Sequence, residues 1–142
     1  MPQKRPHAIT KVLSRNDTGE TGGHQAGILV PKDPDILAFF PSLDRRQKNP
    51  RHHLHFTDEL GETWLFAFIY YNNALFGGTR NEYRLTRMTP FIRAHSLHVG
   101  DKITLHRNAN ADYTVSCQRK RAQKRDTGGK LRLGSTWKIV SI

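Results

Sequence analysis

Residues 51–57 (RHHLHFT) and 62–71 (ETWLFAFIYY) are two extended runs separated only by Asp58-Glu59-Leu60-Gly61. Aromatic and apolar residues recur at every second position, and the intervening residues end in glycine, the pattern of an antiparallel hairpin. A hairpin this long commits the chain to a sheet. Residues 102–106 (KITLH) and 112–117 (DYTVSC) repeat the arrangement around the loop RNANA. Three further strands are expected at 8–14 (AITKVLS), 27–30 (GILV, stopped by Pro31) and 136–141 (TWKIVS). That makes about seven strands. Asp33 suits a helix N-cap and Pro34 the first helical position, so a short helix should end near Phe40, ahead of Pro41. Alternating βαβ units are absent, which argues against a doubly wound sheet. The expected class is mainly β, a small antiparallel barrel or sandwich with one or two short helices. At 142 residues with 36% hydrophobic content, the chain should form a single domain, 1–142, around one compact core.

Charge points to the partner. Twenty-three Lys and Arg against 12 Asp and Glu leave a formal charge of +11. Such a domain attracts polyanions, nucleic acid first. No long apolar run, signal peptide or lipidation motif speaks for a membrane. The single cysteine, Cys117, excludes an internal disulfide and a multi-cysteine zinc site, and is expected as a buried strand residue. The expected location is cytoplasmic.

Residues 14–28 (SRNDTGETGGHQAGI) hold four glycines. A nucleotide-hydrolase loop would follow its glycines with Gly-Lys-Ser/Thr, but Gly22-Gly23 is followed by His24-Gln25. A dinucleotide fingerprint would open a long helix, whereas a strand-like run comes next. A metal-dependent nuclease core needs an acid, any residue, then lysine; none of the 12 acids fits, and none of the eight histidines begins His-x-Lys. His52, His53 and His55 resemble a metal cluster only on paper. On a strand, residues 53 and 55 share one face and 52 the other, with no cysteine or carboxylate at matching distance. The glycine-rich stretch is then either a plain surface loop or a contact surface. Arg15, Asn16, Asp17, Thr18, Thr21, His24 and Gln25 supply donors and acceptors suited to base edges, on a backbone that Gly22 and Gly23 let approach closely.

Residues 72–87 (NNALFGGTRNEYRLTR) have the same character. Arg80, Asn81, Glu82 and Arg84 are the residue types that pair with guanine, adenine and cytosine, though a solvated charged turn would look alike.

Together, LSRNDTGETGGHQAGILVP and IYYNNALFGGTRNEYRLTR resemble the N-terminal effector-binding domain of EcoRII-type restriction endonucleases. The likeness spans most of residues 11–87. The stretch LHVGDKITLHR through YTVSC also looks like plant B-three-type transcription-factor domains. The resemblance implies an open, seven-stranded DNA-binding pseudobarrel with two short helices. It also implies two arms that clamp the major groove of double-stranded DNA, one at 17–24 and one at 80–84, the latter including Tyr83. The family's target is 5′-CCWGG, and its domain is non-catalytic. It would be the N-terminal domain of a larger restriction endonuclease, needing no cofactor itself, with Mg2+ belonging to the separate nuclease domain. The chain departs from the family at Ala74, Gly78 and Tyr83, where basic residues are expected. If those positions contact phosphates, the candidates for replacement are Lys11, Arg45, Arg46, Lys48, Arg119, Lys120 and Arg121, with Lys124, Arg125, Lys130 and Arg132 further along the basic tail.

Two other readings compete. A barrel that binds RNA or single strands would stack bases on exposed aromatics, and Trp64, Phe66, Phe68 and Tyr70 share a strand face, although a core role suits them better. A stand-alone nuclease with an unfamiliar active site is the other.

Overall fold

The computed structural model describes residues 5–20, 27–120 and 137–140. Among them run eight strands: β1 (Ala8–Val12), β2 (Ile28–Val30), β3 (Arg51–Thr57), β4 (Thr63–Tyr71), β5 (Glu82–Thr86), β6 (Lys102–Arg107), β7 (Tyr113–Gln118) and β8 (Trp137–Ile139). They form one sheet in the order β2-β5-β4-β3-β7-β6-β1-β8. Every pairing is antiparallel except a two-residue parallel join, Phe56 with Tyr113 and Thr57 with Thr114. The sheet curls until its two edges meet: the indole N–H of Trp137 on β8 donates to the carbonyl of Leu29 on β2 at 2.9 Å. This is a pseudobarrel, closed at the seam by a side chain where a ladder would otherwise be needed.

The core follows from strand alternation. Leu54 and Phe56 face inward from β3 while His52, His53 and His55 are exposed. Phe66, Phe68 and Tyr70 of β4 are buried with Phe39, Phe40, Phe91, Leu85 and Leu105. Those aromatics are therefore core residues and not a base-stacking platform. Trp64 is half-buried and spends its indole N–H on Asp58 at 2.8 Å. Cys117 lies on β7, half-buried and not fully enclosed. Among the described residues no helix is long and apolar enough to cross a membrane.

The expected class holds, with four differences of detail. The strand count is eight because β5, expected as part of an arm, pairs with both β2 and β4. Residues 15–18 form a helical turn, α1 (Arg15–Thr18), where a loop was expected. Ser14 starts it with a capping box: its hydroxyl accepts from the Asp17 N–H and Asp17 accepts from the Ser14 N–H. The helix at Pro34 keeps its expected cap at Asp33 but is short, α2 (Pro34–Leu37); Phe39 and Phe40 then bond back only three residues, in a tightened last turn before Pro41. A third helix, α3 (Thr89–Ala94), packs Phe91 and Ile92 into the core. Thr136 and Ser141, expected at the ends of the last strand, both lie outside the described residues.

Candidate nucleic-acid interface

Strand β5 organises the site. Alternation turns Tyr83 and Leu85 toward the interior, Leu85 fully buried, and leaves Glu82 and Arg84 on the outer face. At its first residue, Glu82 stands opposite Tyr71 of β4. Near its end, Leu85 stands opposite Ile28, one residue after Gly27. The 80–84 arm thus enters at the beginning of β5, and the glycine-rich arm returns to the sheet beside its end. Three residue steps separate Glu82 from Leu85, about 10 Å of extended chain, within the major groove's ~12 Å width. Gly27 can occupy its place only as glycine: its φ is +87°, and an added Cβ would lie 2.5 Å from the Leu85 carbonyl oxygen.

Between the roots lies a three-member charged set. Oε2 of Glu82 accepts from Arg80 (Nη2, 3.1 Å) and from Nε of Arg84. Nη1 of Arg84 donates to the carbonyl of Gly27 at 3.0 Å, tying one arm's root to the other's. The Arg80 guanidinium lies 3.8 Å above the ring of Tyr71. The Arg84 bond, together with that from Arg80 and against the opposing effect of burial, holds the Glu82 carboxyl below its usual range. Side-chain exposure is 38% for Arg80, 29% for Glu82 and 18% for Arg84, so all three are held but reachable. Asn81 accepts from the Tyr70 hydroxyl at 2.7 Å. Tyr83 stacks on Tyr70 with ring centres 4.3 Å apart, and burial pushes its phenol up.

The glycine-rich arm has a firm root. Lys11 and Asp17 form a buried ion pair at 2.8 Å beneath α1, and the Lys11 ammonium also donates to the carbonyl of Val12. Both expected contact residues are thus engaged inside the arm's base. Arg15 and Asn16 are exposed on α1, and Thr18 bonds to Glu20, which in turn accepts from the N–H of Val99. Thr21, Gly22, Gly23, His24 and Gln25 lie outside the described residues.

The expected phosphate contacts divide in two. Arg45, Arg46 and Lys48 are exposed on a loop beside the 80–84 arm. Buried Asn72, at the end of β4, holds that loop: its amide donates to the carbonyls of Arg45 (3.2 Å) and Gln47 (2.8 Å), and its oxygen accepts from the Asn49 N–H (2.7 Å). The Arg45 guanidinium sits 5.5 Å over the Tyr70 ring, and Arg46 pairs with Asp44. On the opposite flank, buried Asp101 accepts from the backbone of Lys120 and His98, next to Leu13 at the first arm's root. Arg119 donates to the carbonyls of His95 and Ser96, closing the end of α3. Arg121, Lys124, Arg125, Lys130 and Arg132 lie outside the described residues.

Sequence reasoning missed Tyr71, which seats Arg80, and Asn72 and Asp101, which pin the flanking loops. An amide or carboxylate placed where an apolar strand ends or begins was the available signal, since a buried polar group needs partners.

Against this geometry, the family model for the N-terminal part of restriction endonuclease EcoRII matches residues 4–119. The chain belongs to that family. It is 39% identical over 98 residues to the type II restriction enzyme EcoRII of Escherichia coli, a match covering 67% of this chain and 24% of that enzyme. This EcoRII-family chain therefore aligns with about a quarter of its relative's length. Its fold resembles that of the protein in an Arabidopsis FUS3–DNA complex, with a TM-score of 0.61, 22% identity, and coverage of 79% of this chain and 96% of that one. It also resembles the B3 domain of the UbaLAI restriction endonuclease with cognate DNA, with a TM-score of 0.50, 24% identity, and coverage of 80% and 68%.

Proposed function

We propose that this chain binds double-stranded DNA sequence-specifically, with both arms in one major groove, at 5′-CCWGG or a related site. It does so as the non-catalytic recognition and effector part of a type II restriction endonuclease, whose Mg2+-dependent cutting belongs to a separate nuclease domain in a longer chain. Support comes from the family, from two fold relatives described on DNA, and above all from the Arg80–Glu82–Arg84 set.

The set carries the reading because its internal bonds leave its outer ends open. Among the described residues, Oε1 of Glu82, Nη1 of Arg80 and Nη2 of Arg84 take no partner. Two donors therefore flank one acceptor on β5 and the segment that leads into it. In the major groove a G·C pair shows acceptors on guanine (O6, N7) and a donor on cytosine (N4). Either arginine can donate to guanine acceptors and the glutamate oxygen can accept from a cytosine amine on the G·C pairs of such a site, and a good bidentate arginine–guanine pair is worth roughly 1–3 kcal/mol of discrimination. The buried Lys11–Asp17 pair sets the position of the other arm, whose exposed Arg15 and Asn16 face outward. The basic residues on either flank supply salt-sensitive affinity without choosing a sequence.

A gel-shift titration tests this. Purified chain at fixed, moderate salt should prefer a CCWGG duplex over the same duplex scrambled at those five positions by tenfold or more, and should leave plasmid uncut in Mg2+. Equal binding to both duplexes would remove base reading at that site; tighter binding to single strands would favour the single-strand alternative.

A further inference from the structure

Two large apolar side chains stand in the open beside the charged set. Leu75 is 56% exposed and Phe76 46% exposed, on a 3-10 turn (Asn73–Phe76) between β4 and Arg80. A mobile turn could fold such side chains back, but this one is held. The Ala74 N–H donates to the Arg80 carbonyl (2.9 Å), Leu75 to Asn72 (2.9 Å) and Gly78 to Asn73 (2.8 Å). Gly77 takes the left-handed conformation at φ +90°, and Gly78 packs so closely that an added Cβ would sit 2.9 Å from the Cβ of Asn73. The loop is thus a closed ring, and the residue that closes it is Arg80, the first member of the reading set. Whatever Arg80 touches is brought near Leu75 and Phe76.

We infer that Leu75 and Phe76 are specificity residues that contact C5-methyl groups of pyrimidines in the major groove, and so make the chain prefer thymine at one or more positions of its site. The inference rests on the proposed DNA reading by β5. The occupant follows from chemistry: a chain of charge +11 presents this tip beside Arg80, so the partner arriving there is a polyanion. The one apolar group that a duplex displays among its major-groove base edges is the thymine methyl. Charged set and apolar tip would then divide the work, the first taking G·C edges and the second the methyl of an A·T pair.

The test begins with the duplex that the wild-type chain itself selects from a library randomised over ten base pairs. Each thymine of that duplex is replaced in turn by uracil, which removes only the methyl, and binding is measured for wild type, Leu75→Ala, Phe76→Ala and the double variant. At one or more positions uracil should weaken wild-type binding about four-fold, the worth of one buried methyl group. The double variant should bind the thymine duplex more weakly by a similar factor and no longer distinguish thymine from uracil there. Unchanged affinity for a scrambled duplex, with an unchanged melting temperature, shows that both variants remain folded. The inference is overturned if the selected site holds no thymine, if wild type is indifferent to uracil everywhere, or if the double variant keeps the full thymine-to-uracil ratio. Selection of no preferred sequence is a different result: it removes the DNA reading itself, and the role of the tip with it.

Discussion

The charged set Arg80–Glu82–Arg84 and the basic loop at residues 45–48 lie on the same flank and carry the same sign of charge, yet they are built in opposite ways. Arg84 has only 18% of its side chain exposed and is fixed by Glu82 and the Gly27 carbonyl. Lys48 is exposed, and Arg46 is 90% exposed in a pair with Asp44. A surface pair of the latter kind contributes little to stability. The difference fits the two tasks proposed for them. Choosing a base needs donors within hydrogen-bond reach at fixed angles, which a strand can supply. Attracting a polyanion needs only charge near the surface, and mobile side chains suffice. Asn72 links the two, because the residue that follows β4 also tethers the loop.

The largest effect should come from Arg84→Ala. Affinity for the cognate duplex should fall ten- to a hundredfold, about 1–3 kcal/mol, while a scrambled duplex is affected far less. Equal losses on both would make Arg84 a phosphate contact. Asn72→Ala should come next, on stability: it leaves the Asn49 N–H and two carbonyls without their partner, and thermal or urea unfolding should show a loss of about 2 kcal/mol. The cognate-to-scrambled ratio should survive that change, since β5 keeps its own bonds.

Smaller still is the double change Arg45→Ala with Lys48→Ala. It should weaken both duplexes by the same factor and lower the slope of log affinity against log salt by about 1–2, at roughly 0.9 per lost phosphate contact. A changed sequence preference would erase the proposed division of labour. The smallest effect concerns pH. Glu82 titrates lower in the fold than its ordinary value, so its contribution to stability is present above about pH 4.3 and is lost only as pH falls through the depressed value. Melting temperatures should therefore show no Glu82-dependent loss, judged against Glu82→Gln, between pH 8 and about pH 5.

Much of the fold was legible because residues 51–57 alternate polar with apolar side chains and residues 62–71 are rich in aromatic and aliphatic ones, and the structure keeps both strands. The glycine-rich and TRNEYR segments were legible as strings, but their local structure was not. Ser14 and Asp17 form a capping box that three glycines nearby obscured. Strand β5 turns Tyr83 and Leu85 inward, but two of its three outward positions, Glu82 and Arg84, are charged and it follows a turn rich in glycine. Glu82 looked like a third contact residue of equal rank; only the three-dimensional bonds show it holding Arg80 and Arg84 together. Partnerships of that kind depend on angles that spacing alone does not carry.

Glu82→Gln tests the account most directly, because selection and attraction predict opposite signs. The affinities of wild type and variant for the cognate and scrambled duplexes would be measured side by side at one salt concentration. Losing the carboxylate charge should leave binding to the scrambled duplex unchanged or stronger, while cognate binding weakens as the two arginines lose their charged anchor. If both affinities rise together by the same factor, Glu82 is only a repulsive charge beside DNA, and the arginine–glutamate–arginine set does not choose the sequence.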